Sequence, residues 1–414
     1  MTDLKRNVPD LRFPEFEGEW EEKKLGEFVD FGKGKLLGKK DLSEGGKYPC
    51  ILYGELYTKY GAIINSIQSR TNVNPDKLKK AEKNQVLIPS SGETVEDIAT
   101  ASAIDVNEDV YIGGDLNILT PKKDDGKFIS LSLNSVNKWN VSRFAQGKTV
   151  VHLYNNDLKK LKVNLPIQFE EQKKIGDFFS KLDRQIELEE QKLVLLEEQK
   201  KGYMQKIFSQ ELRFKDDNGN DYPEWEEKKL KEIGEISSGV GFPEKYQGGK
   251  IGIPFFKVSD MNLPSNQFIM KKANNYVNNQ LIVENKWKVI TNVPAVIFAK
   301  VGAAIMLNRK RIVMEPFLID NNSMSYSFSM RHWDAKFGNV YFQTLNLPKY
   351  AQVGALPSYN SKDIGSIIVN LPTLREQTEI GEFFNKFTKL IEKQSRKVEL
   401  LKQRKKGLLQ KMFV

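Results

Sequence analysis

The opening segment of this 414-residue chain is written a second time further along. Trp20-Glu21-Glu22-Lys23-Lys24-Leu25 returns as Trp225-Glu226-Glu227-Lys228-Lys229-Leu230, 205 positions later. At the same offset Tyr48-Pro49 becomes Ile253-Pro254. Glu171-Gln172 with Ile175-Gly176-Asp177-Phe178-Phe179 becomes Glu376-Gln377 with Ile380-Gly381-Glu382-Phe383-Phe384. Lys200-Lys201-Gly202 and Gln205-Lys206-Ile207-Phe208 return as Lys405-Lys406-Gly407 and Gln410-Lys411-Met412-Phe413. Small insertions shift the frame elsewhere, so that Leu11-Arg12-Phe13 matches Leu212-Arg213-Phe214 and Leu165-Pro166 matches Leu371-Pro372. A period near 205 is far too long for a solenoid of small repeats and requires two large units built to one plan.

Each unit has two parts. The first is rich in Gly, Asn and Pro, with short β-branched or aromatic runs such as Val86-Leu87-Ile88, Asn117-Ile118-Leu119, Val296-Ile297-Phe298 and Ile367-Ile368-Val369. Turn residues bound these runs, which predicts strand-led globules. The second part is dominated by Glu, Lys, Gln and Leu, as long helices require. The expected order is a first globule with the N-terminal segment over 1–167, a spacer helix over 168–211, a second globule over 212–372 and a second spacer helix over 373–414. The fold class is mixed α+β: two α/β globules separated by two long antiparallel coiled-coil helices, related by a pseudo-two-fold.

The spacers carry a heptad seam. In the first, Ile175, Phe179, Leu182, Ile186, Leu193 and Leu196 follow alternating four–three spacing, broken by Glu189 and Lys200. In the second, Ile380, Phe384, Phe387, Ile391, Val398 and Leu401 do the same, broken by Gln394 and Lys405. A parallel pair would set Lys200 against Lys405. An antiparallel pair is expected instead, in a register that brings Glu189 to Lys405 and Lys200 to Gln394. Phe178, Leu188, Val194 and Leu195, with Phe383, Leu390, Leu400 and Leu409, lie partly off the seam. They belong either to docking surfaces for the globules or, as we favour, to a face that receives helices of another chain.

Few residues could do chemistry. His152 and His332 are the two histidines, and neither has a metal-ligand spacing or a nucleophile beside it. Gly32-Lys33-Gly34-Lys35-Leu36-Leu37-Gly38-Lys39-Lys40 resembles a phosphate loop, but its glycine spacing is one residue too long and Lys40 stands where Ser or Thr is needed. Pro9-Asp10 before Glu21-Glu22-Lys23 has a nuclease-like look that the second copy does not repeat, so an exposed strand or helix start is expected there. No Asn-Pro-Pro-aromatic motif occurs. No catalytic or metal site is expected on this chain. Cys50 is the single cysteine, which excludes an internal disulfide and fits a reducing cytoplasm. The absence of a long apolar run predicts neither a signal peptide nor a membrane span.

Charge points to a polyanion. Lys and Arg number 64 against 54 Asp and Glu, a net +10. Loop cations mixed with small polar and aromatic side chains are the candidates for duplex DNA. In the first globule these are Lys33, Lys35, Lys39, Lys40, Tyr57, Lys59, Tyr60, Ser90, Ser91, Glu93, Thr94, Lys148, Thr149 and Tyr154. In the second they are Lys245, Tyr246, Lys257, Ser259, Lys300, Arg309, Lys310, Arg311, Tyr359 and Asn360. The bland reading of any one is a solvated surface group. Arg309-Lys310-Arg311 is the strongest of the set, because three adjacent cations repel unless solvated or paired with phosphates.

Taken together these landmarks resemble the specificity subunits of type I restriction–modification systems. The resemblance is carried by Trp20 to Leu25 and Trp225 to Leu230, by Tyr48-Pro49…Tyr53-Gly54-Glu55-Leu56 and Ile253-Pro254-Phe255-Phe256-Lys257-Val258-Ser259-Asp260, and by the Leu-Pro…Glu-Gln…Ile-Gly-x-Phe-Phe helix starts at 165–179 and 371–384. It implies two target-recognition domains, each reading half of a split asymmetric site, with the helices setting the gap. It also implies two methyltransferase subunits docked on the helices and restriction–translocation subunits attached to those, with S-adenosylmethionine, ATP and Mg2+ on the partner chains and no cofactor here. The alternatives are a coiled-coil scaffold for proteins without DNA specificity and a self-sufficient nuclease or methyltransferase. The repeat also predicts that Leu11-Arg12-Phe13 lies near Phe413, as Leu212-Arg213-Phe214 follows Phe208.

Overall fold

The computed structural model describes residues 7–147, 149–352 and 356–414. The chain forms two units, one made of Met1–Gln191 with Ser395–Val414 and the other of Lys192–Gln394. Among the described residues, four helices reach nine residues or more: α1 (Gly126–Asn134), α2 (Phe169–Phe208), α3 (Ala335–Thr344) and α4 (Leu374–Met412). At 1.5 Å per residue the 40 residues of α2 span about 60 Å. Neither α2 nor α4 contains proline, and each has acidic residues in its first turn and a lysine in its last, as the helix dipole favours.

In unit 1, a two-stranded ribbon pairs β1 (Glu21–Lys24) antiparallel with a strand at Lys162–Leu165 just before α2. This settles Glu21-Glu22-Lys23 as an exposed strand. A five-stranded sheet follows the order Val29–Lys33, Leu116–Pro121, Val86–Pro89, Ser102–Ile104, Ile63–Ile64, its last pair parallel. Phe128, Ile129, Leu131 and Leu133 of α1 enter one core with Val86, Ile88 and Leu119 from this sheet. A second, four-stranded sheet runs Ser69–Thr71, Tyr48–Ile51, Val110–Ile112, Lys79–Ala81.

Unit 2 repeats the plan with fewer strands. Its ribbon joins Glu226–Lys229 to Ile368–Leu371, with Glu226 opposite Leu371 just as Glu21 stands opposite Leu165. Its main sheet is four-stranded and antiparallel, in the order Gly234–Ser238, Ser323–Phe328, Ala295–Ala299, Lys310–Val313. All six residues of Ser323–Phe328 are buried, with Trp333, Phe337 and Phe342 packed in the same core.

The repeated motifs meet in space at the start of each long helix. Glu171 is almost wholly buried, and Arg12 clamps it with two hydrogen bonds of 2.7 Å while the Trp20 indole donates at 3.3 Å. In unit 2, Glu376 receives Arg213 at 3.0 and 3.4 Å and the Trp225 indole at 3.3 Å. The next residue closes the globule onto the helix. Gln172 accepts from the Asp125 amide at 2.9 Å and donates to the Pro166 carbonyl at 3.0 Å; Gln377 does the same with Asp334 and Pro372 at the same distances. Gly176 and Gly381 then let the backbones approach, since a Cβ there would stand 2.7 Å from Asp125 Oδ1 or Asp334 Oδ1.

An aromatic plug from the far end of the opposite helix completes each socket. Phe413 packs on Trp20, Phe128 and Phe179 at 6.2, 5.1 and 6.2 Å in unit 1. Phe208 packs on Trp225, Phe337 and Phe384 at 6.2, 5.9 and 6.1 Å in unit 2. The Leu11 amide bonds to the Lys411 carbonyl at 2.8 Å, as Leu212 bonds to Lys206 at 3.0 Å, so the segment expected beside Phe413 is there.

The helices are antiparallel within each unit, in a register different from the one expected. In unit 1, Asp183 pairs with Lys405 and Glu189 with Lys397, both at 2.5 Å. In unit 2, Lys200 donates to Thr388 at 3.0 Å and Tyr203 packs on Phe383 at 5.2 Å. Lys405 therefore meets Asp183 rather than Glu189, and Lys200 meets Thr388 rather than Gln394, a slip of six residues. The plugs at the helix ends fix the register, because burying Phe208 and Phe413 outweighs the small gain from aligning half-exposed charges. Ile175, Phe179, Leu182, Ile186, Ile380, Phe384, Ile391 and Val398 are buried along the seam, whereas Leu193, Leu196, Phe387 and Leu401 are half-buried. Leu188, Val194, Leu195, Leu390 and Leu400 stand exposed, whereas Phe178, Phe383 and Leu409 join the cores.

Removing one partner of a buried charge pair strands the other, at a cost of about 3 kcal/mol; emptying an aromatic plug costs about as much. Arg12→Ala and Phe413→Ala are each expected to lower the unfolding transition of unit 1, and Arg213→Ala that of unit 2. A calorimetric scan in which none of the three moves a transition would refute the latch.

Candidate nucleic-acid interface

At one end of the five-stranded sheet of unit 1, three loops converge. Lys33 ends its strand opposite Asn117, and the Ser90 carbonyl accepts the Leu153 amide at 3.1 Å. Ser91 pairs with His152, and the Asn155 amide group donates to the Gly32 carbonyl at 3.0 Å. Lys33, Ser90, Ser91 and Tyr154 are thus brought together, with Thr149 exposed in the same hairpin. Lys33, Lys35, Lys39 and Lys40 are all exposed and, among the described residues, none forms an ion pair. Asp41, the nearest acid in sequence, is occupied in accepting from the Gly38 amide. Four uncompensated cations in eight residues give this loop a strongly positive surface.

Other candidates of the first globule have local duties. Lys59 pairs with Glu55 at 2.6 Å and reaches Ser69 at 2.9 Å. The Tyr60 hydroxyl accepts from the Gln68 amide, and burial pushes its pKa up to about 12. Tyr57 and Tyr60 line a cleft with Glu96, Asp97 and Lys405. Thr94 caps the turn Val95–Ile98, its hydroxyl accepting from the Asp97 amide at 3.1 Å, while Glu93 beside it is exposed. Lys148 lies outside the described residues.

In unit 2 the basic triplet divides. Arg309 is exposed and bonds Asn262. Arg311 is half-buried, donating to the Asn266 carbonyl at 3.0 Å and to the Lys310 carbonyl at 2.9 Å. Lys310 is only 2% exposed, so it is withdrawn from any duplex. Its ammonium donates at 2.6 Å to the carbonyl of Leu345, the C-cap of α3, and at 3.0 Å to Asn308. The negative end of the helix dipole explains the attraction; alternation along an edge strand turned this residue inward. Tyr359 is likewise buried, edge-on to Phe298 at 6.2 Å. Asn360 caps Ser361–Gly365 by accepting from the Lys362 and Asp363 amides. Lys257 donates to Gln247 at 3.0 Å, and Lys245 lies over the Tyr246 ring at 4.6 Å. Ser259 is exposed and Lys300 half-buried.

Several groups escaped the residue-by-residue reading. Met306 and Leu307 stand 67% and 58% exposed on a turn between Lys300 and Arg309, and Leu356 is exposed nearby, where the Gly302 amide bonds to the Pro357 carbonyl. The apolar run Ala303–Leu307 bounded by Gly302 and Asn308 was the available signal. In unit 1, Trp139 is 66% exposed beneath the Arg143 guanidinium at 4.6 Å.

Residues 17–198 and 222–402 match the model of the type I restriction modification DNA specificity domain, once in each half. The chain belongs to that family. It is 22% identical, over 96% of its length and 92% of the relative's, to the type I restriction enzyme MjaVIII specificity subunit of Methanocaldococcus jannaschii. Its fold is similar to the type I S subunit from M. genitalium, with TM-score 0.66, 17% identity and coverage of 98% of this chain and 99% of that one. A chain solved for the complex assembly and conformational transition of the type I system also matches, with TM-score 0.53, 14% identity and coverage of 95% and 97%. The mixed fold with two long helices is that of a specificity subunit carrying two target-recognition domains. No helix is long and apolar enough to cross a membrane, and no cluster of three or more metal-binding side chains occurs among the described residues.

Burial holds the Lys310 ammonium down to about pKa 8, from an ordinary 10.5. Between those values the unfolded chain binds more protons than the folded one, so stability rises with pH there. The wild type is expected to gain stability from pH 8 towards pH 10 relative to Lys310→Met, measured by chemical unfolding at several pH values. Equal pH dependence in the two proteins would show that Lys310 is solvated.

Proposed function

We propose that the two target-recognition domains of this subunit each read one half of a bipartite, asymmetric duplex site, and that α2 and α4 set the gap between the halves. The observation that carries this reading is a common frame with different surfaces. The Glu171 and Glu376 latches are alike, while most loop candidates differ: Lys33, Lys35 and Lys39 align with Ser238, Val240 and Glu244, although Lys40 coincides with Lys245 and Tyr154 with Tyr359. In unit 1 the surface offers Lys33, Lys35, Lys39, Lys40, Ser90, Ser91, Thr149 and Tyr154. In unit 2 it offers Arg309 and Lys300, with Met306 and Leu307 as apolar groups able to wedge against bases. The exposed Leu188, Val194, Leu195, Leu390 and Leu400 suit helices of methyltransferase partners, two per subunit, to which restriction subunits attach. On this reading S-adenosylmethionine, ATP and Mg2+ are held by those partners and this chain is non-catalytic.

Two measurements test it. Inserting one helical turn into both α2 and α4 is expected to change the number of base pairs between the half-sites and leave the bases of each half unchanged, as read from methylated positions in host DNA. A changed half-site sequence with an unchanged gap would defeat the proposal. Arg309→Ala is expected to weaken duplex binding by the assembled complex at every sequence and to reduce the salt slope by about one; an unaltered slope would remove Arg309 from the interface.

A further inference from the structure

The duplication places a lysine at the same point of both long helices, Lys405 in unit 1 and Lys200 in unit 2. Lys405 is neutralised by Asp183 at 2.5 Å. The residue 205 positions after Asp183 is Thr388, and Lys200 donates to its hydroxyl at 3.0 Å. The cation has been kept and its carboxylate replaced by a neutral acceptor. Glu392 and Glu197 act on Lys200 only from beyond ion-pair distance, and burial holds its pKa below the ordinary lysine value. A half-buried ammonium without a paired anion is only partly compensated by a neutral hydroxyl.

Lys200 lines a cavity of about 430 Å³ that lies wholly within unit 2, a volume suited to a small molecule. Arg311 lines it too, a second half-buried cation whose hydrogen bonds go to backbone carbonyls rather than to any carboxylate. Asn339 on α3 contributes a buried carboxamide oxygen that has no donor. Met204, Phe268 and Ile312 supply apolar wall. The related cleft of unit 1, which Lys405 lines, contains Glu96 and Asp97 in place of an excess of cations.

We propose that this cleft of unit 2 is a binding site for a small organic anion, whose carboxylate or phosphate monoester sits on Lys200 and Arg311, whose body lies on Met204 and Ile312, and whose hydrogen-bond donor reaches Asn339. The asymmetry between the units makes the site single, because unit 2 has Thr388 where unit 1 has the Asp183 carboxylate. Among the described residues Glu392, the one carboxylate lining the cleft, stands among the five cations Lys200, Lys310, Arg311, Lys336 and Lys389.

The test uses the full chain with three probes in calorimetric titration: AMP, benzoate and inorganic phosphate. AMP or benzoate is expected to bind the wild type and raise its unfolding temperature. Thr388→Asp, which installs the carboxylate that unit 1 already has, is expected to weaken that binding at least tenfold without lowering the stability of the ligand-free protein. Lys200→Gln is expected to weaken it to a similar degree. The proposal is overturned if neither organic probe binds, if inorganic phosphate alone does, or if Thr388→Asp and Lys200→Gln both bind as tightly as the wild type.

Discussion

A carboxylate buried at the root of each long helix holds an arginine from a distant segment, a tryptophan indole and, through the glutamine beside it, the N-terminus of a globule helix. Glu171 and Glu376 are buried, and these donors supply the hydrogen bonds that water would otherwise give them. Once the carboxylate is there, the arginine segment, the tryptophan strand and the close glycine contact are all constrained. The globule is thereby fastened to its helix at a fixed angle of departure. A fastening of this kind, used twice, is what turns two helices into a frame that can carry loops of any sequence.

Freedom appears where that constraint ends. The ribbon register is identical in the two units, down to Glu21 opposite Leu165 and Glu226 opposite Leu371. The main sheets already differ by a strand, and the loops at their ends have diverged around a few shared positions such as Tyr154-Asn155 and Tyr359-Asn360. A recognition protein benefits from this division. Its scaffold residues satisfy one another, leaving surface loops to change without a penalty to the core. Lys200 and Lys405 show the same divergence inside the scaffold, where one copy pairs its lysine with an aspartate and the other with a threonine.

The frame was legible in the sequence because repeated letters mark repeated contacts. Trp20 and Trp225, Arg12 and Arg213, Glu171 and Glu376, and Phe208 and Phe413 were all visible as anchors, and each proves to be a member of a latch or plug. The antiparallel sense of the helices was also legible, from the cost of setting Lys200 against Lys405. Their register was not, since it depends on how deep Phe208 and Phe413 seat, which no local pattern encodes. The candidate interface was legible only in part. Lys33, Lys35, Lys39 and Lys40 are exposed as expected, but Lys310 and Tyr359 face inward. A triplet of cations looks alike whether its middle member points to solvent or to a helix end, and only the strand's orientation decides. The exposed Met306 and Leu307 were hidden for the converse reason, because apolar residues are assigned to cores by default.

Unit 2 is one continuous stretch, whereas unit 1 is stitched from Met1–Gln191 and Ser395–Val414. Ribosomes add roughly 5–20 residues per second, so the first-made globule waits on the order of 10–40 s for the segment that brings Phe413. Throughout that interval the socket formed by Trp20, Phe128 and Phe179 is open and sticky. The half of the protein that is synthesised first is therefore the half whose core closes last.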